Sequence, residues 1–373
     1  MKKLLISMHR WVGLVIGLLL VLVGISGSAL VYRADIERWQ TAPYRNVEPL
    51  DEVRSIDDWV VAARAFAPRK VLARITFPAD ERDAAQVFVR LAGARNLKQS
   101  ELEVVYVDPY RAVALGSKQA NSGLMWWLQD FHYALFSGEP GLKFNGLGAA
   151  ALVLLALSGP VLWWPGWKRR AAALRVRSRP VAAKWRDLHA VSGVFLCLAL
   201  LLIGVTGVYY AFRSTSAAVV MLSTGNAARA VPQSPPQAGT SMLSLQNLLT
   251  RAQALQPQAH FDELRPARAP GGAASLTFRD RGERVFARHR LFLDPQSGAL
   301  LRLDHYDQLT ASERLMANMQ PWHFGYFAGR WSQWLWVLAG LLPAFLFGSG
   351  MWLWLRKFPI GVTRPAHQKQ GDV

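Results

Sequence analysis

Four stretches of this chain, residues 11–32, 144–167, 188–212 and 331–355, contain no Asp, Glu, Lys or Arg. As helices rising about 1.5 Å per residue, each is long enough to cross a hydrocarbon core of roughly 30 Å. Lipid offers bare peptide groups no partner, so such stretches must be helical where they cross. The first follows Lys2 and Lys3 in the manner of a secretory signal. It is longer than a signal's usual apolar core, however, and the third stretch echoes it, so the expectation is a retained span.

The chain has 43 basic and 25 acidic residues, a net charge of +18 that could point to nucleic acid. Its location argues otherwise. Lys2, Lys3 and Arg10 precede the first span, Lys168, Arg169, Arg170, Arg175, Arg177, Arg179, Lys184 and Arg186 separate the second from the third, and Arg356, Lys357, Arg364 and Lys369 follow the fourth. Only Asp187 and Asp372 oppose them. Basic residues mark cytoplasmic segments, so both ends and the middle loop are expected inside and the two long connections outside, in the periplasm of a bacterial inner membrane. The expected order is helix 1–33, external module 34–143, helix 144–167, basic loop 168–187, helix 188–212, external module 213–330, helix 331–356 and tail 357–373.

Each long connection reads as a small α+β module. In the first, residues 55–67 have the pattern of an amphipathic helix and 71–77, 86–91 and 102–107 that of strands, with a turn at Asp108-Pro109. In the second, residues 244–256 read as helix and 274–278, 285–293 and 299–303 as strands, with a turn at Asp294-Pro295 and Gly298. Residues 231–240 (VPQSPPQAGT) form a Pro-rich linker and 269–273 (APGGA) a loop.

The chain also repeats itself. Adding 180 carries His9, Gly13, Gly24, Gly27 and Arg33 onto His189, Gly193, Gly204, Gly207 and Arg213; adding 191 carries His132, Phe136, Ser158, Gly159, Leu162 and Trp163 onto His323, Phe327, Ser349, Gly350, Leu353 and Trp354. Two halves of like orientation imply a four-helix transmembrane bundle built from two tandem, pseudo-twofold repeats. His9 and His189 then lie at one membrane face and His132 and His323 at the other.

Two imidazoles meeting across a bundle match the axial ligand set of a b-type haem. With Cys197 the only cysteine, an intrachain disulfide, a Cys-ligated iron–sulfur cluster and covalent haem attachment are excluded. His9, His189, His132 and His323 are thus candidate ligands of haem iron, two haems in all. Gly13, Gly17, Gly24, Gly193 and Gly204 would let a porphyrin or a neighbouring backbone approach. Arg10 and Arg186 on one side, Lys143 and Arg330 on the other, are candidate propionate partners. The bland alternatives are interfacial histidines, helix-packing glycines and tryptophans (126, 127, 163, 164, 167, 331, 334, 352 and 354) forming membrane-interface belts. His260, His289, His305 and His367 have no repeat partner and are expected at the surface. No Walker loop, HExxH or GxSxG occurs, and Gly146-Leu-Gly148 follows no strand.

The unit of a helix opening with His-Arg-Trp-Val-Gly (9–13) or Leu-His-Ala-Val-Ser-Gly (188–193), an external module and a second helix resembles the PepSY-associated transmembrane family. So do 105–116 (VYVDPYRAVALG) and 291–303 (LFLDPQSGALLRL), with their strand, Asp-Pro turn and strand. The resemblance runs from His9 to about Lys357. It implies PepSY-like external modules and, through members similar to ferric-siderophore reductases of the ferrioxamine-reductase kind, haem at the four histidines and a ferric siderophore as partner. Some relatives carry a flavoreductase domain that this chain lacks, so the expected electron donor is a quinol or a separate flavoreductase. Competing expectations are an envelope interaction protein anchored by its spans, and a transporter. The transporter is disfavoured by the absence of charged coupling residues within the spans.

Overall fold

The computed structural model describes residues 1–91, 102–225, 229–234, 241–269, 271–280 and 287–356. The start of the strand expected at 285, most of the Pro-rich linker, His367 and the tail from 357 lie outside these residues.

The chain begins with α1 (Lys2–Leu30), α2 (Arg33–Gln40), α3 (Ala42–Arg45) and α4 (Ile56–Phe66), then runs through β1 (Lys70–Thr76), β2 (Ala85–Leu91), β3 (Glu103–Asp108) and β4 (Val113–Gln119). Next come α5 (Leu124–Ala134), α6 (Gly138–Trp163), α7 (Arg170–Ala173), α8 (Val181–Ala211), α9 (Arg213–Thr224) and α10 (Leu245–Leu255). It closes with β5 (Ala259–Arg265), β6 (Ala274–Asp280), β7 (His289–Leu293), β8 (Leu300–Asp304), α11 (Ala311–Phe324) and α12 (Arg330–Leu355).

Among the described residues α1, α6, α8 and α12 are long and apolar enough to cross a membrane. Three of them begin several residues before the uncharged stretches, because a charge in an interfacial first turn does not interrupt a helix; α8 starts at Val181 and carries Lys184, Arg186 and Asp187 on its first turns. α1 packs against α6 and α12, and α8 against the same two, which closes a four-helix bundle. Gly24 sets the α1–α12 crossing: a Cβ there would stand 2.2 Å from the Gly340 carbonyl oxygen, so only hydrogen allows this approach.

The strands form one antiparallel sheet in the order β4-β3-β2-β1-β5-β6-β7-β8. The two modules are therefore joined edge to edge, a continuity that the sequence reading did not contain. The seam pairs Ile75 with Leu264 and Thr76 with Glu263. Both Ile75 and Leu264 are completely buried, in a core that α4 and α10 cover from one side. Ser55 and Ser244 cap these helices, accepting from the amides of Asp57 and Asn247. α5 and α11, which lead into α6 and α12, were not expected as helices, whereas β4 is the strand that the resemblance implied after the Asp108-Pro109 turn. β5 was missed, and its ladder shifts register between Phe261 and Glu263. The extra residue breaks the alternation by which a half-buried strand is recognised.

Candidate functional site

The four repeated histidines fall into two groups. His9 of α1 places its Nδ1 2.7 Å from the Ser158 hydroxyl of α6, and His189 of α8 places its own 2.8 Å from the Ser349 hydroxyl of α12. His9 and His189 are close enough to interact electrostatically. Towards the other ends of α1 and α8, His132 of α5 reaches the Val23 carbonyl at 2.9 Å and Ser26 at 3.3 Å, and His323 of α11 reaches Thr206 at 2.8 Å. Seventeen residues separate His9 from Ser26, so the groups stand roughly 25 Å apart along the helices.

These bonds decide where each imidazole carries its proton. The Val23 carbonyl can only accept, so the Nδ1 of His132 donates. Thr206 and Ser349 each direct their hydroxyl proton to a carbonyl of their own helix, Leu202 and Phe345, both at 2.7 Å, and Ser158 turns its own toward Leu155 at 3.3 Å. The Thr206 and Ser349 hydroxyls are left to accept from the rings that face them. His132, His189 and His323 thus hold the proton on Nδ1, and the 2.7 Å contact of His9 with Ser158 accommodates the same tautomer; among the described residues no hydrogen bond reaches the Nε2 of any of the four. A metal-binding imidazole has this arrangement, ligating through one nitrogen while the other donates to a fixed partner.

The rings of His132 and His323 lie 6.1 Å apart, centroid to centroid. Two imidazoles that held one metal ion through bonds of about 2 Å would have their centroids at most roughly 6 Å apart. The pair therefore fits bis-imidazole ligation. Burial pushes both imidazoles below their ordinary value, His323 down to about 3, so each is neutral near pH 7, as a ligand must be. Their backbones are anchored alike: Asn145 Nδ2 donates to the His132 carbonyl at 2.6 Å and Trp336 Nε1 to the His323 carbonyl at 3.2 Å. A Cβ at Gly27 would come within 2.7 Å of the His132 ring, so glycine is required there.

Other expected residues lie as follows. The Arg10 Nε is buried beside Trp11 with no hydrogen-bond partner among the described residues, and Arg186 is exposed 3.8 Å from Asp187. Lys143 donates to the Ala211 carbonyl at 2.9 Å and Arg330 is paired with Asp35 at 2.8 Å, so both already have partners within the protein. Gly24 and Gly204 admit a neighbouring helix and Gly17 the Phe347 ring, whereas Gly13 and Gly193 face leucine side chains at 3.8 and 3.7 Å. Trp127, Trp164, Trp167, Trp331 and Trp334 are exposed, as interface tryptophans would be. Sequence reasoning assigned no role to the hydroxyls of Ser26, Ser158, Thr206 and Ser349. Their signal was present: all four sit in apolar stretches, and the offsets of 180 and 191 carry one pair onto the other.

His289 departs from expectation. It is fully buried rather than at the surface, because it closes the core at the start of β7, with His305 4.2 Å away ring to ring and Asp280 at 3.9 Å. These three side chains are close enough together to suggest a metal centre. The tautomer argues against it. The Tyr306 amide donates to the His289 Nδ1 at 3.0 Å, which places the ring proton on Nε2, facing Asp280. That is the reverse of His132, His189 and His323, and it suits a hydrogen-bonding imidazole rather than a ligand.

No curated protein sequence matches the chain. The family model described as the PepSY-associated TM region matches residues 6–357. With four membrane-crossing helices and a match over nearly its whole length, the chain is a membrane protein that belongs to the PepSY-associated transmembrane family.

Proposed function

We propose that this protein is an inner-membrane b-type haem protein that carries electrons outward to reduce ferric siderophores in the periplasm. The observation that carries the reading is the shared anchoring of His9, His189, His132 and His323, each held through Nδ1 by a neighbouring helix with Nε2 left for a metal. The reading treats the chain as two tandem repeats about a twofold axis along the membrane normal. Matching contacts support this: His9–Ser158 recurs as His189–Ser349, and His132–Ser26 as His323–Thr206.

Haem held by His9 with His189, and by His132 with His323, would supply reversible one-electron chemistry near each face, dividing a crossing of roughly 30 Å. The chain's own residues orient the imidazoles and keep them neutral, and the apolar helices exclude water from them. Each Fe(III) takes one electron, drawn from a quinol or a reduced flavoprotein on the inner side. The siderophore then releases Fe(II), which hard oxygen donors hold more weakly.

The test is the visible spectrum of the protein purified in detergent from haem-replete cells, before and after dithionite. A Soret band that shifts on reduction is expected; a colourless protein would remove the proposal. His9→Ala and His189→Ala should perturb one redox centre, His132→Ala and His323→Ala the other.

A further inference from the structure

At the seam of the sheet the side chains of Ile75 and Leu264 turn toward α4 and α10. Their neighbours project from the opposite face, where Arg74 covers the Phe88 ring at 3.8 Å and Tyr44 of α3 stacks on Tyr106. α3 packs on that face against β3 and β4, and α2, which joins α3 to the end of α1, touches α5 at the entry to the bundle, so the face lies on the bundle side of the sheet.

Four strand arginines gather there around two carboxylates. Glu263 is shared by Arg74, at 3.2 Å, and Arg265, and Asp304 by Arg302, at 2.9 Å, and Arg229 from outside the sheet, at 3.4 Å. Arg290 lies over Phe292, 5.9 Å from its centroid, and makes no ion pair among the described residues. The buried Arg74 Nε finds no hydrogen-bond partner among the described residues. Desolvation pushes the guanidiniums of part-buried Arg74 and exposed Arg290 below their usual range and Arg265 presses both further the same way, with Glu263 offsetting part of it at each. An anion would relieve that crowding.

The cluster is not a by-product of duplication. In the first two strands of each module residues correspond at an offset of 189, under which Ile75 meets its own counterpart, Leu264. By that offset Arg74 corresponds to Glu263 and Arg265 to Thr76; the Asp108-Pro109 and Asp294-Pro295 turns set an offset of 186 for the last two strands, which carries Arg290 onto Val104 and Arg302 onto Gly116. The histidine contacts recur in both halves; these arginines do not.

We infer that this face binds the reducible substrate as an anion, a ferric chelate whose carboxylate or catecholate oxygens outweigh the charge of the metal. The inference rests on the reading of the chain as a haem-bearing tandem repeat. On that reading one twofold axis relating the halves would pass between Ile75 and Leu264 and between His132 and His323, which would stand the arginines over the outer histidine pair. Guanidinium forks match paired oxygens geometrically, and a surplus of positive charge selects against cationic chelates.

The experiment is equilibrium binding to the full-length protein in detergent, read by tryptophan fluorescence quenching, with ferric citrate as the anionic probe and a cationic ferric trihydroxamate as the control. The double variant Arg74→Gln/Arg265→Gln should weaken ferric citrate binding at least about tenfold and flatten its salt dependence, with the trihydroxamate unaffected. Arg290→Gln, which breaks no ion pair among the described residues, should weaken ferric citrate binding about threefold or more with an unchanged melting temperature, and it carries the test if the double variant does not fold. Ferric citrate binding unchanged in both variants, or equal weakening for both chelates, overturns the inference. Binding is read without electron transfer, so the two readings fail separately. A colourless protein that binds ferric citrate through these arginines ends the conduit and leaves the anion site; a haem-loaded protein with arginine-independent binding does the reverse.

Discussion

Asp57 and Gln246 each cap the helix to which the other belongs. The Asp57 carboxylate accepts the amides of Leu245 and Gln246 at 3.0 and 3.1 Å, at the start of α10, while the Gln246 side chain accepts the Ile56 amide at 3.1 Å, at the start of α4. The first turn of a helix lacks intrahelical acceptors for its amides, so this exchange satisfies both ends and clamps the two modules beside the seam.

Asp57→Ala should therefore cost about 1–2 kcal/mol, as other lost helix caps do, and Gln246→Ala about 1 kcal/mol. Thermal unfolding followed by circular dichroism checks this. Because both substitutions act on one junction, the double variant should lose less than the sum of the two; strict additivity would mean that the helices are capped independently.

Ser158→Ala and Ser349→Ala remove the acceptors that hold the His9 and His189 rings. Loss of such supporting bonds typically weakens metal affinity about 10- to 100-fold. The expected outcome is a lower haem-to-protein ratio by pyridine haemochrome assay, while Thr206→Ser, which keeps its hydroxyl beside His323, should bind haem normally.

Gly24→Ala puts a methyl group against the Gly340 backbone, and a backbone oxygen cannot swing aside. Separation of α1 from α12 should cost about 1–3 kcal/mol. At Gly204 a Cβ would meet the Ala149 oxygen at 3.2 Å and a movable Val153 methyl at 2.9 Å, so Gly204→Ala should lower the melting temperature less.

Arg229 and the capping bonds to Thr310 hold the Glu313 carboxyl at about 2, below its ordinary value of 4.5. A depressed folded-state value means that the unfolded chain takes up the proton first. The stability that Glu313 contributes is thus complete above about pH 4.5 and is lost as pH falls toward 2. Glu313→Gln should destabilise the protein at pH 7 and flatten the fall of its melting temperature over that acidic range.

Much of this architecture was legible in the sequence, because the features involved are local. Uncharged stretches longer than 20 residues announced the four crossing helices, and alternation announced β2, β3 and β6. Where local pattern failed at His289, a structural cause is visible. His289 is polar in sequence yet satisfied in the core by the Tyr306 amide.

The amino-acid order by itself determined that the chain spans a membrane and that its histidines recur as two pairs, since hydropathy and repetition are properties of the chain read along its length. Only the tertiary structure decided that two modules share one sheet, which nitrogen of each imidazole holds the proton, and that arginines from β1, β5, β7 and β8 converge on one face. Those outcomes depend on hydrogen-bond acceptors and charges brought within a few ångströms by parts of the chain more than a hundred residues apart, and no local pattern records such encounters.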